Sequence, residues 1–262
     1  MSVLCLVSAH GSPGVTTTAL ALAATWPEHR RCLLVEADLC GGVISARYGV
    51  GDTPGVASLA AAARRGGVSD ELVWEHVQRL PGGLQVLVGP PSPDESHAVL
   101  RDIAGELARW AAAQPDVAVI VDGGRITGRA PSIDPLLRTS AVLVVTRPIL
   151  EQLRPAGIRV EALQTAGLDA SVLLVGDQPY GPTEVASSLH CPVAATIAWD
   201  PKTAAVLSGA PGAMRDLRRS PLIRSAATLA ADLAVPVGAG HPPANDAAHE
   251  TAQPASVKEA GL

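Results

Sequence analysis

Leu4-Cys5-Leu6-Val7-Ser8-Ala9-His10-Gly11-Ser12-Pro13-Gly14-Val15-Thr16-Thr17-Thr18-Ala19-Leu20-Ala21-Leu22-Ala23 is the stretch from which the rest of the chain is read. The apolar run ending at Val7 has the length and composition of a central parallel strand, and the alanine- and leucine-rich run after Thr18 that of a buried helix. Between them, Gly11 and Gly14 allow the backbone to turn tightly beneath a ligand. A helix that opens there presents unpaired N–H groups and the positive end of its dipole, which suits a phosphate. The loop contains no lysine.

Two later stretches end in acids. Cys32-Leu33-Leu34-Val35 predicts a strand that runs into Glu36-Ala37-Asp38, and Val117-Ala118-Val119-Ile120-Val121 one that runs into Asp122-Gly123-Gly124. Strand ends of a parallel sheet face the ligand crevice, so Glu36 and Asp38 are placed to meet a metal or a water, and Asp122 to order magnesium beside the loop. Further apolar runs at 84–88, 141–146, 171–175 and 192–197 alternate with helical stretches at 56–63, 69–77, 96–113, 149–166 and 221–233. Seven strands in that rhythm predict a doubly wound, mostly parallel α/β sheet with helices on both faces. Residues 1–235 then form one domain. Residues 236–262, rich in Ala, Pro and Gly without periodicity, form a disordered tail.

Composition narrows the partners. Hydrophobic residues make up 47% of the 262 and charged residues 17%, enough apolar material for one sizeable core. With no Phe, two Tyr and four Trp, the core is filled by Ala, Val and Leu. A net charge of −5 gives no global attraction to nucleic acid or to anionic membranes. Arg215, Arg218, Arg219 and Arg224 are the local basic candidate for DNA, and a solvated helix flank is the commoner explanation of such a run. Cys5, Cys32, Cys40 and Cys191 form no C-x-x-C pair and fit reduced packing residues in a cytosolic protein without an integral membrane segment. His29, His76, His97 and His190 share no metal-binding spacing.

These stretches together resemble the ParA/MinD superfamily of deviant P-loop ATPases, whose loop reads K-G-G-x-G-K-T-T. In that register His10 stands for the signature lysine, Gly11 keeps the first glycine and Ser12 replaces the second. Pro13 fills the variable place, Gly14 keeps the last glycine, Val15 replaces the P-loop lysine, and Thr16 and Thr17 keep the hydroxyl pair. Glu36 and Asp38 follow the family's V-D-x-D, while Gly123-Gly124-Arg125 departs from its T-P-P turn after the acid at Asp122. The wording around Leu84–Pro90 is similar to the CpaE/TadZ-like branch.

The resemblance implies ATP or ADP with Mg2+ as cofactor, held by His10 to Thr17, with Thr16, Asp38 and Asp122 around the metal and Asp38 near the attacking water. Both lysines being absent, it implies a pseudo-ATPase: a positioning or assembly factor for a pilus, secretion or division machine, a homodimer with protein partners. The alternative is an active ATPase of chromosome or plasmid partition that binds DNA non-specifically. A kinase or dethiobiotin-synthetase-like ligase on the same fold is disfavoured, because it needs the loop lysine to position a transferred phosphoryl group. The tail, with Lys258 its one lysine, does not match the basic membrane helix that MinD proteins carry there.

Overall fold

Eight strands form one sheet in the computed structural model, which describes residues 3–27, 29–211 and 214–234. They are β1 (Val3–Ser8), β2 (Arg31–Glu36), β3 (Gln78–Arg79), β4 (Gln85–Leu87), β5 (Val117–Arg125), β6 (Ala141–Thr146), β7 (Ala170–Val175) and β8 (Val193–Ile197). Their order across the sheet is β3-β4-β2-β5-β1-β6-β7-β8, and every neighbouring pair is parallel except β3 with β4. The expected seven strands become eight because β3 is two residues long, too short to show an alternation in sequence. The tail proposed for 236–262 lies outside the described residues.

Small and branched side chains make this sheet a separator of two cores. Along β1, Leu4 and Leu6 face one layer while Cys5 and Val7 face the other, all of them buried. The first layer holds α1 (Val15–Ala24), α2 (Ile44–Tyr48), α9 (Pro201–Leu207) and α10 (Pro221–Ala234). The second holds α3 (Val56–Ala63), α4 (Asp70–Glu75), α5 (Pro93–Ala112), α6 (Asp134–Arg138), α7 (Leu150–Thr165) and α8 (Pro182–Leu189). Helix α5 starts before the expected Ser96 because the Ser92 hydroxyl accepts the Glu95 N–H at 3.3 Å and Pro93 fits the first turn. The basic run does not lie on one helix, as its spacing suggested. Met214–Arg219 is a 3₁₀ helix, and Arg224 belongs to α10 beyond it.

After β1 the chain winds toward β2 on one side, and after β5 it crosses to β6 on the other. That reversal opens a crevice at the C-terminal ends of the central strands, where a parallel α/β sheet receives its ligand. Glu36, at the end of β2, was expected to look into it. Instead its side chain is buried and organises the rim: Oε1 accepts the Val43 and Ile44 N–H groups at 2.6 and 2.9 Å, and Oε2 accepts Gly89 N–H at 2.9 Å. One carboxylate therefore starts α2 and fastens the exit of β4. Burial raises its pKa and the three N–H donors oppose that rise. Removing it leaves three donors without an acceptor, so Glu36→Ala should lower stability by on the order of 3 kcal/mol. Urea denaturation should show Glu36→Gln, which keeps one acceptor oxygen, losing less.

Candidate functional site

The loop after β1 ends in a glycine that makes the helix start possible. Gly14 has φ +107° and no atom within 4 Å of where a Cβ would stand, so the backbone turns there without a side chain above it. Helix α1 begins at Val15, and no side chain caps it. Its first N–H groups have no side-chain cap, an arrangement that suits an anion. His10 and Ser12 are exposed and Pro13 is buried, while Thr16 and Thr17 are half-buried. Gly11, with φ +65°, lies under Gln152 of α7, whose amide nitrogen is 3.1 Å from the position of a Cβ. The oxygen of that amide accepts the Arg147 N–H at 3.1 Å, which ties the start of α7 to the end of β6.

Val15 behaves differently from the residue it replaces in the resemblance. It is 7% exposed and belongs to the apolar layer of α1 and α10.

Across the crevice, β2 and β5 run in register with Glu36 opposite Asp122, and Ala37 N–H donates to the Asp122 carbonyl at 2.8 Å. The Asp122 carboxylate is fully buried. Its Oδ1 accepts Gly124 N–H at 3.2 Å, and its Oδ2 has no hydrogen-bond partner. Burial pushes its pKa up to about 7; the nearby Thr16 hydroxyl and Gly124 N–H oppose the shift, and the charges of Glu36 and Asp38 add to it. Asp38 is half-buried at the mouth, its Oδ1 accepting Cys40 N–H at 2.8 Å. It packs so closely on Gly124 that no Cβ fits there. The Thr16 hydroxyl and the Asp38 carboxylate thus both lie near the Asp122 carboxylate.

This donor set fits a magnesium ion bound with a nucleotide. All three groups offer oxygen, the orphaned Oδ2 is an unused acceptor, and Mg2+ favours one or two carboxylates completed by water and phosphate. Among the described residues no three His, Cys, Asp or Glu side chains converge as a metal-binding group. A metal held here would need water and phosphate oxygens for the rest of its shell.

A second recess opens at the ends of β6, β7 and β8. It encloses about 510 Å³ above Val175, Gly176 and Thr196, with Arg147 and Trp199 as walls. The Arg147 guanidinium stacks 4.1 Å from the centre of the Trp199 ring, and Trp199 remains 52% exposed. The stacking of Arg147 on Trp199 and the position of Gln152 over Gly11 join residues far apart in the chain.

The same architecture occurs in solved proteins. The septum site-determining protein MinD from Pyrococcus horikoshii, complexed with Mg-ADP, superposes with a TM-score of 0.68 at 20% identity, covering 88% of this chain and 95% of that one. This is the MinD/ParA P-loop fold. A ParA family ATPase from Chlorobium tepidum gives 0.69 at 20% identity, with 88% and 98% covered. MinD in the MinC:MinD cell division complex of Aquifex aeolicus gives 0.60 at 15%, with 94% and 99% covered. The sequence matches no family model and no curated protein. The MinD/ParA likeness is thus one of fold, carried at an identity where sequence comparison is silent.

Asp122 also sets a pH dependence. Its folded pKa lies above the ordinary aspartate value of 3.8, so between roughly pH 4 and 7 the folded state holds more protons than the unfolded state. Its contribution to stability is complete below that window and is lost as pH rises through about 7. In EDTA, thermal melting of the unaltered chain should fall across this range, and Asp122→Asn should flatten the fall. An identical slope in the variant would show that Asp122 is already charged and compensated.

Proposed function

We propose that this chain binds ADP or ATP with Mg2+ weakly, hydrolyses it little or not at all, and works as a positioning or assembly factor through protein contacts. The observation that carries this reading is Val15. A P-loop lysine reaches the outer phosphates as a point charge, whereas Val15 is packed in the apolar layer beneath α1. His10 to Thr17 would cradle the phosphates through backbone N–H groups, Thr16 and Asp122 would hold the metal, and Asp38 would order water at its edge. Bound magnesium would supply charge neutralisation of the phosphates.

The machine it serves is, on the resemblance, a pilus or secretion apparatus of the CpaE/TadZ kind or a division apparatus. Two features support assembly by protein contacts. Helix α7 leaves Leu150 and Ile158 69% and 60% exposed, and MinD of similar fold is found in a complex with MinC. The chain would pair as a homodimer held by protein surfaces rather than by a shared nucleotide. Among the described residues no helix is long and apolar enough to cross a membrane.

Phosphate release from ATP measured on the full chain tests the reading. We expect turnover indistinguishable from the buffer background, unchanged by added DNA. Val15→Lys should tighten nucleotide binding by about 10- to 100-fold, the worth of one charge-assisted contact of ~1.5–3 kcal/mol, once the side chain extends out of the apolar layer. Magnesium-dependent hydrolysis by the unaltered chain, lost in Asp38→Ala and stimulated by DNA, would instead establish the partition ATPase.

A further inference from the structure

The segment after Asp122 is extended, where the resembled proteins turn. Strand β5 continues through Gly123 and Gly124 to Arg125, and its register against β1 slips: Leu6 lies opposite Asp122, but Ser8 lies opposite Arg125. Two residues of β1 thus span three of β5, so β5 carries one extra residue, a bulge in which Gly124 takes φ +59°. The consequence is geometric. In a parallel pair, residues in register share a face, and Leu6 points into the α1 layer with Asp122 beside Thr16. Without the extra residue, Arg125 would fall on the opposite face. With it, Arg125 shares the face of Ser8, on the α1 side at the mouth of the crevice. Ile126 then turns into the other layer, where it is buried.

The position is held firmly. Ile126 N–H donates to the Ser8 carbonyl at 2.8 Å. Arg159 of α7 donates to the Ile126 and Gly128 carbonyls at 3.1 and 3.0 Å. Two other arginines near this edge are engaged, Arg159 by those carbonyls and Arg147 by Trp199. Arg125 is exposed, and among the described residues its side chain has neither an ion pair nor a hydrogen bond.

We propose that Arg125 is the cation of the phosphate site, taking over from the β5 side the charge that the loop lacks. A guanidinium presents a planar fork that matches phosphate oxygens two at a time, and on a bulge anchored by Arg159 it is positioned before the ligand arrives. The ligand class is a nucleoside di- or triphosphate, with the charge directed at the phosphates and not at the base. The uncapped start of α1 and the orphaned Oδ2 of Asp122 mark the place it serves. This inference rests on the reading of the crevice as a magnesium–nucleotide site.

Equilibrium binding of a fluorescent ADP analogue with magnesium to the full chain is the test, with adenosine as the phosphate-free comparison. Arg125→Ala should weaken ADP by about 10- to 100-fold and leave adenosine unchanged, and Arg125→Lys should recover part of the loss. Arg129→Ala, an exposed arginine further along the same loop, controls for net charge and should stay within about twofold of the unaltered chain. Unchanged melting temperatures would show that the variants are folded. If Arg125→Ala binds ADP like the unaltered chain while Thr16→Ala loses it, the role of Arg125 is refuted and the nucleotide site stands. If the unaltered chain binds no ADP, both fall.

Discussion

Burying a carboxylate at the end of a parallel strand, with one oxygen unpaired, is the constraint around which this crevice is organised. Asp122 is fully enclosed between α1 and the ends of β1 and β2, and a charge there is costly unless something meets it. The neighbouring features follow from that demand. Thr16 stands at the start of α1 because Gly14 turns the loop, Asp38 lies over Gly124 because a Cβ is missing there, and Glu36 is kept out of the crevice by three backbone donors. Burial favours the protonated form of Asp122, and on the proposed reading a magnesium ion would meet the charged one. The same residue would thereby connect stability, pH and the proposed ligand binding.

Replacing a loop lysine by valine separates two properties that phosphate-binding loops normally combine. Backbone donors at a helix start hold an anion whatever the side chains are, and that part depends only on Gly11, Gly14 and the uncapped first turn. Stabilising charge that develops on the outer phosphates needs a cation aimed at them, and Val15 is directed into the apolar layer instead. On the proposed reading, a chain built this way would retain recognition better than turnover. The proposed placement of a cation on β5 at Arg125 would restore charge to the ground state without reproducing the lysine's geometry.

Much of this was legible in sequence, for physical reasons that differ from element to element. The runs at Val3–Val7 and Val117–Val121 are long, apolar and followed by glycine or acid, so strand, loop and carboxylate placement are all local facts. Asp38 and Asp122 were located for that reason. The role of Glu36 was not, because its three donors come from residues 43, 44 and 89 and meet only after folding. Arg125 was seen as a departure from a turn, but its face depends on a one-residue slip between strands 117 positions apart in register, Ser8 with Arg125. Gln152 over Gly11 and Arg147 against Trp199 are likewise products of tertiary packing. Strand β3 was missed by its shortness.

Titration of the unaltered full chain with ADP, in the presence of magnesium and again in EDTA, tests the central claim most directly. The claim is that Thr16, Asp38 and Asp122 form a magnesium-assisted nucleotide site that has outlived its lysines. The account predicts saturable binding of one ADP per chain with magnesium, in the weak range left by the loss of a charged contact, and a marked loss of affinity in EDTA. Binding that is indifferent to EDTA and to Asp122→Asn, or no binding at millimolar-order ADP, would contradict it.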